Sequence, residues 1–453
     1  MKPTTIMLFR SAVCSALFLC QAAIAGPVAL SRDAQGEALI VPLWTVEAGN
    51  DTLISLRNNS VLPVAVKVRI IDGDGFELLA LNIYLDDDDS WTGAMTAAGS
   101  GAELISVDHS CVLPRFDADA SGAVRIGLPV IARRSGYIEI VEMGYHDVGL
   151  VGGPRVQWST CSDLAERFET GDWATDPDSD LGRPQGVTSA GVRIIDVADG
   201  GMVSVPTTAL DGFSDIVQHS APDRPVPNLS TAHAPAAALD ATESRLCGSH
   251  GCRVLSWELP VEAVASVLAA PRLRGGVTVN PAIGAQTELV ITRPLKRYES
   301  DSGFALGADV GLALYDREGR FVEPDLQTVQ LSPPPPPKAT PIDLPALQTD
   351  DAVVAIAFDQ HGGDGQAFTS SLLGLPGESL SLDGTGFVAG HAEIRFNEFP
   401  ESRLISLEGQ SVRGEAAIGI VVLQFSNGTL EADPATQVSV LSNYRTAEAM
   451  TRR

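Results

Sequence analysis

The stretch Pro63-Val-Ala-Val-Lys-Val-Arg-Ile-Ile71 decides how the chain is read. Val64, Val66, Val68 and Ile70 alternate with Ala65, Lys67 and Arg69. Successive side chains of a strand leave opposite faces, so a period of two predicts one apolar face on a core and one wet face. Similar runs are Ala38–Val46, Thr52–Arg57, Phe76–Leu85 and Tyr137–Met143. Turn-forming residues separate them: Ala48-Gly49-Asn50-Asp51, Asn58-Asn59-Ser60 and Asp72-Gly73-Asp74-Gly75. Short strands at roughly ten-residue spacing predict a mainly β chain of antiparallel β-sandwich (Ig-like) units with a few short helices and long loops.

The middle of the chain is less regular. Trp158, Cys161, Leu164, Ala165 and Phe168 have helical spacing, so a short amphipathic helix is expected there. An Asp-rich loop follows from Gly171 to Arg183, and Ala221–Pro235, with four prolines, reads as a long surface loop. Pro260 ahead of Val261–Ala270 predicts a second helix, ended by Pro271. Strand patterns return at Thr287–Thr292, Val310–Tyr315, Ala352–Phe358, Glu393–Phe396 and Ala416–Phe425. The last is almost continuously apolar, as for a central strand buried on both faces. Pro333–Pro337 reads as a stiff loop inside one unit. The division expected is 1–25 leader, 26–150 N-terminal β-sandwich, 151–280 loop-rich with short helices, and 281–453 C-terminal β-rich portion continuous with the rest.

Residues 1–25 read as a secretory signal: Lys2 and Arg10, a short apolar run from Ser11 to Cys20, then the small-x-small pattern Ala23-Ile24-Ala25. The chain of 453 residues carries a net charge of −26, which becomes −28 once Lys2 and Arg10 leave. With 57 acidic against 31 basic residues, the chain is a poor match for nucleic acid, whose phosphates require clustered Lys and Arg. No later run is long and apolar enough to predict a transmembrane segment. Export leaves Cys111, Cys161, Cys247 and Cys252, an even count that predicts two disulfides in an oxidising compartment. The simplest pairing is Cys111–Cys161 with Cys247–Cys252, and the other two connectivities stay open. His250 inside Cys247-Gly-Ser-His-Gly-Cys252 lacks the partner pair that zinc needs.

Catalytic templates are missing: there is no GxSxG, HExxH, Walker loop or dinucleotide fingerprint. Asp383-Gly-Thr-Gly386 has only a superficial likeness to an aspartic-protease fragment and reads as a turn. The acidic turns hold more interest. Asp117-Ala-Asp119-Ala-Ser121-Gly122 has the oxygen alternation that opens a calcium loop, but Leu128 stands where the bidentate Glu belongs. Asp117, Asp119 and Ser121 are therefore the candidate calcium ligands, weighed against hydrated turns that keep the protein soluble. Asp86–Asp89 and Asp176-Pro-Asp178-Ser-Asp180 are further acidic clusters. Trp44 and Trp257 sit in apolar surroundings and read as core, whereas Trp173, in the acidic loop, is the candidate exposed contact.

Leu39-Ile-Val-Pro-Leu-Trp-Thr45, Leu81-Asn-Ile-Tyr-Leu85 with Trp91, Gly136-Tyr-Ile-Glu-Ile-Val-Glu-Met-Gly144 and Ile194-Ile-Asp-Val197 follow one another in order. Thr287-Glu-Leu-Val-Ile-Thr-Arg-Pro-Leu-Lys-Arg-Tyr298, Tyr315-Asp-Arg-Glu318 and Asn443-Tyr444 continue the series. In this order the chain resembles a family of uncharacterised secreted or cell-surface proteins of Gram-negative bacteria. The resemblance implies export and a β-rich fold and transfers no catalytic residue. The expected role is non-enzymatic: binding, adhesion or structural assembly at the cell surface, in the periplasm or outside the cell, with an extracytoplasmic protein or glycan as partner. No cofactor is expected beyond the candidate calcium, and the oligomeric state is open. The alternative is an extracellular hydrolase of polymers acting through converging carboxylates.

Overall fold

The structure, a computed structural model, describes residues 26–129, 133–146, 157–197, 201–236, 241–248, 251–298, 310–322, 325–326, 342–343, 351–359, 368–396, 404–426, 436–441, 444–445 and 450–451. The expected leader and the Pro333–Pro337 stretch lie outside these residues.

The deciding stretch forms the strand Val64–Asp72, paired antiparallel with Glu77–Leu85 on one side and Ser135–His146 on the other. Their sheet continues through Ala38–Thr45 and Thr208–Asp211 at one side and ends in the three-residue strand Cys111–Leu113 at the other. A second antiparallel sheet runs Val124–Gly127, Gly101–Ser106, Ser90–Ala98, Asn50–Asn58, Thr188–Asp196, Gly201–Val205. Val64, Val66, Val68 and Ile70 from the first sheet meet Ile54, Leu56, Trp91 and Val192 from the second in one core. The protein is thus mainly β and its N-terminal part is a β-sandwich. Ala48 and Gly49 both have positive φ and lie between Glu47 O and Asn50 N, 3.0 Å apart, a turn whose twist suits the strands it joins. The strands between 188 and 211 complete this sandwich, so its boundary lies well beyond residue 150.

Two further sheets follow. One places Arg272–Thr278 between Ala389–Phe396 and Tyr444–Arg445. The other centres on Gln286–Thr292, between Val353–Phe358 and Ile418–Ser426, and includes one parallel pair, Val353–Phe358 with Gly377–Ser381. One face of this last sheet, with Leu289, Ile291, Val354 and Ile356, packs on its partner sheet. Its other face, with Val290, Val353, Ala355, Ile420 and Val422, joins the core of the N-terminal sandwich. That double burial is why the run 416–425 carries almost no polar residue.

The two expected helices are present. Helix α1 (Cys161–Glu169) starts where the Thr160 hydroxyl accepts from Asp163 N. Helix α2 (Pro260–Leu268) has Pro in its first turn, and Glu262 reaches back to accept from Leu259 N at 3.0 Å. Both disulfides form, Cys111–Cys161 and Cys247–Cys252. Asp383–Gly386 is a turn, with Gly384 and Gly386 at positive φ. Trp44 and Trp257 are buried.

Two expectations fail together. The second face of Val64–Asp72 is not wet: Lys67 is 0% exposed and Arg69 1%. Nor is 221–235 only a surface loop: Asp223–Val226 are exposed, but Leu229, Ala232 and Ala234 are buried and the segment lies across that face. A long proline-containing strap has taken the place of solvent. Proline removes N–H groups and holds the preceding residue extended, which leaves strap carbonyls available as acceptors for the sheet's cations.

Candidate functional site

The strap and the sheet beneath it enclose a layer of ionisable side chains. Lys67 Nζ donates to Ala221 O at 2.8 Å and Arg224 O at 3.3 Å. Arg69 donates to Pro225 O and pairs with Glu77. Asn82 Nδ2 donates to Ser220 O at 2.7 Å, and Tyr298 OH donates to the Glu139 carboxylate at 2.8 and 2.9 Å. Glu142 accepts from Gln185 N at 2.6 Å and Val187 N at 3.0 Å, while Glu37 accepts from Ser214 N at 2.6 Å. Burial, with like charge from Glu142 adding to it against the Ser214 bond, pushes Glu37 up to about 8. Burial pushes Glu142 up to about 7 and, with Arg69 beside it, Lys67 down to about 7. These groups are held by protein donors and acceptors, so their shifted acidity reflects structural burial rather than a pair converging on substrate.

Beside this layer sits an aromatic cluster. Tyr84 stacks on Trp173 at 5.9 Å, and its hydroxyl meets His219 Nε2 at 2.9 Å. Burial lowers His219 to about 4, and its Nδ1–H donates to Pro177 O. Trp173, expected to be an exposed contact, is 1% exposed. The reason is Arg167. Its guanidinium lies 3.9 Å from the Trp173 ring centroid and bonds Asp172 at 2.6 and 2.8 Å and Asp180 at 3.1 Å, folding the acidic loop down over the ring.

The candidate calcium ligands fall on the loop after Cys111–Leu113. Asp119 accepts from Ser121 N at 2.8 Å and Ala123 N at 3.2 Å, and its other oxygen takes Arg125 Nε at 3.1 Å. Hydrogen bonds from Ser121, chiefly, and Arg125 hold this exposed carboxyl down at about 2. Asp119 and Ser121 are thus brought together as a turn, with a cation already supplied by Arg125. Among the described residues no group of three or more His, Cys, Asp or Glu converges as a metal cage. Asp86, Asp89 and Asp108 share a polar recess with His109 and Trp158, where Asp86 accepts from Trp158 N at 2.7 Å.

A different feature is concave, apolar and open. Where both sheets of the N-terminal sandwich end in short strands, Cys111–Leu113 and Val124–Gly127, the sandwich does not close. A cleft of about 200 Å³ enters between them, walled by Leu81, Trp91, Leu104, Val112, Phe116 and Ile126. Polar groups gather among the same lining, Ser106, Asp108, Ser110 and Arg115, together with Cys161 of the disulfide. Gly93 makes room for the indole of Trp91, since a Cβ there would come within 2.5 Å of the ring. Trp91 is buried and its Nε1–H has no acceptor among the described residues. Alternation at 90–98 was too weak for sequence reading to find this wall, and its one signal is Trp91 followed two residues later by Gly.

Comparisons with protein-family models, curated proteins and solved structures match nothing to this chain. Among the described residues no helix is long and apolar enough to cross a membrane.

Proposed function

We propose that the chain is an exported, non-enzymatic β-sandwich protein that binds a small ligand in the cleft beside Trp91, at the cell surface or in the periplasm. The observation that carries this reading is the cleft itself: apolar walls with a few convergent polar groups are the usual form of a small-molecule site. Export is supported by the leader-like residues 1–25 and by the two disulfides, which persist in oxidising compartments. The ordered resemblance to secreted and cell-surface proteins of Gram-negative bacteria points the same way. Against the hydrolase alternative stands the chemistry of the buried acids. Glu37, Glu139 and Glu142 accept protein hydrogen bonds and do not line the cleft, and Asp108 accepts from Thr92 N, Ser110 N and Ser110 OH.

The test has two arms. Isothermal titration of the mature chain with single-ring probes of different charge should show saturable binding, lost in Ser106→Phe, which places bulk at the cleft. A screen against glycans and peptides should show no turnover. Turnover abolished by one Asp or Glu substitution would replace the binding role with catalysis. Fractionation with surface-protease accessibility assigns the compartment.

A further inference from the structure

We infer that the open edge of the strand Glu77–Leu85 is a docking site for an extended peptide whose residues alternate between apolar and basic. An apolar side chain is a small ligand carried on a chain, so the inference rests on the binding role proposed above and adds what carries the group.

The edge itself is the first observation. Cys111–Leu113 pairs only with Asn82–Tyr84, so from Glu77 to Leu81 the same edge has no strand beside it among the described residues. Pro114 follows Leu113 at once and has no N–H with which to continue the ladder. In an antiparallel ladder alternate residues turn N–H and C=O to opposite neighbours. Every second residue of this stretch therefore offers both groups to an absent strand, and such an edge is a template for another chain.

Hollows lie on both faces of that edge. Side chains of a strand leave alternate faces. Leu79 and Leu81 face the sandwich core, where the cleft of about 200 Å³ opens between Leu81, Val112 and Phe116. Ala80 faces the strap, for it stands opposite Arg69, which donates to Pro225 O. A second groove, of about 470 Å³, opens on that side between Ala80, Pro114, Phe168, Ala221 and Pro222. Ala80 is the smallest side chain of its strand and leaves that space. A strand added here would place successive side chains in cleft and groove by turns. That is how β-strand addition recognises a peptide: main-chain bonds give affinity and alternate pockets give specificity.

The two linings differ in chemistry. The cleft walls are apolar and take an apolar side chain. The groove is apolar too, but its charged lining is Glu77, Glu169 and Asp223, with no base. Glu77 pairs with Arg69, whereas Glu169 and Asp223 are exposed and enter no ion pair among the described residues. A Lys or Arg side chain matches this groove, its methylene stem along the wall and its cation at the acidic rim.

The probe is acetyl-Leu-Lys-Leu-Lys-Leu-amide, titrated calorimetrically into the mature chain beside acetyl-Leu-Glu-Leu-Glu-Leu-amide and butylamine. The lysine peptide should bind about tenfold more tightly than the glutamate peptide, and butylamine more weakly still. Glu169→Gln combined with Asp223→Asn, both exposed changes, should erase the preference for lysine. Ser106→Phe should weaken the lysine peptide together with the single-ring probes. Two further lysine peptides carry N-methyl groups, one on its lysines and the other on its leucines. One of the two should lose binding and the other keep it, because alternate amides face alternate edges. Equal affinity for the lysine and glutamate peptides, butylamine as tight as the peptide, N-methylation that matters at both sets or at neither, or a Ser106→Phe protein that keeps the peptide overturns strand addition. So does failure of the lysine peptide to bind while single-ring probes still do, which leaves the binding role standing. Binding by neither peptides nor rings overturns both.

Discussion

Lys67 Nζ donates a 2.8 Å hydrogen bond to the carbonyl oxygen of Ala221, 154 residues further along the chain. This contact joins the strand on which the fold turns to the strap that hides its second face. It converts a lysine with the sequence signature of a solvent-facing residue into a fully buried one.

The buried amine carries a pH signature. Burial, then the like charge of Arg69, depresses Lys67 to about 7 against 10.5 in the unfolded chain. A depressed folded pKa contributes stability above the unfolded value and loses it as pH falls through the folded value. Between pH 10 and pH 7 the wild type should therefore lose thermal stability relative to Lys67→Met, whose neutral side chain does not titrate. Calorimetric melting of both proteins across that range checks it, and a constant difference would mean the amine stays hydrated.

Glu37 moves the opposite way. Its carboxyl is raised from 4.5 to about 8, first by burial and then by Glu142 and Asp211. A raised folded pKa gives stability that is complete below pH 4.5 and lost as pH rises through 8. Glu37→Gln keeps an acceptor for Ser214 N and should gain melting temperature over wild type progressively from pH 5 to pH 8. A gain that shrinks over this range would sink the assignment of burial as the dominant cause.

The two disulfides should differ in worth. Cys111–Cys161 spans 50 residues and ties α1 to the edge strand at the cleft, whereas Cys247–Cys252 spans 5 and closes a hairpin. Loop-closure entropy assigns about 4 kcal/mol to the first and about 2 kcal/mol to the second. Denaturant unfolding of the paired Cys→Ser variants measures both. The larger loss, with weakened ligand binding, is expected for the 111/161 pair alone.

Trp173 separates a buried support from a surface contact. Truncation to Ala removes the ring stacked on Tyr84 and leaves Arg167 without its aromatic face. The cost should be about 3–5 kcal/mol, as for other buried aromatics, against at most about 0.5 kcal/mol for an exposed side chain. Urea unfolding of Trp173→Ala decides between them.

Much of the architecture was legible before any coordinates. The strands Ala38–Thr45, Val64–Asp72, Glu77–Leu85 and Gln286–Thr292, both helices and the simplest cysteine pairing answer to patterns only a few residues long, read at 38–46, 63–71, 76–85 and 287–292 for the strands. Such features rest on local steric preference and on alternation against a core, which neighbouring residues already encode. The candidate site was far less legible. Trp91 and Arg115 are separated by 24 positions, and their relation depends on two edge strands ending short.

By itself, then, the sequence determined the class of fold, the placing of its strands and helices, and the even set of cysteines that export would pair. The tertiary structure alone decided which faces are dry. Lys67 and Arg69 read as wet because periodicity reports only that one face of a strand differs from the other. Whether water or a strap covers the second face depends on residues more than 150 positions away, and a buried cation becomes tolerable only when distant carbonyls such as that of Ala221 arrive to bond it.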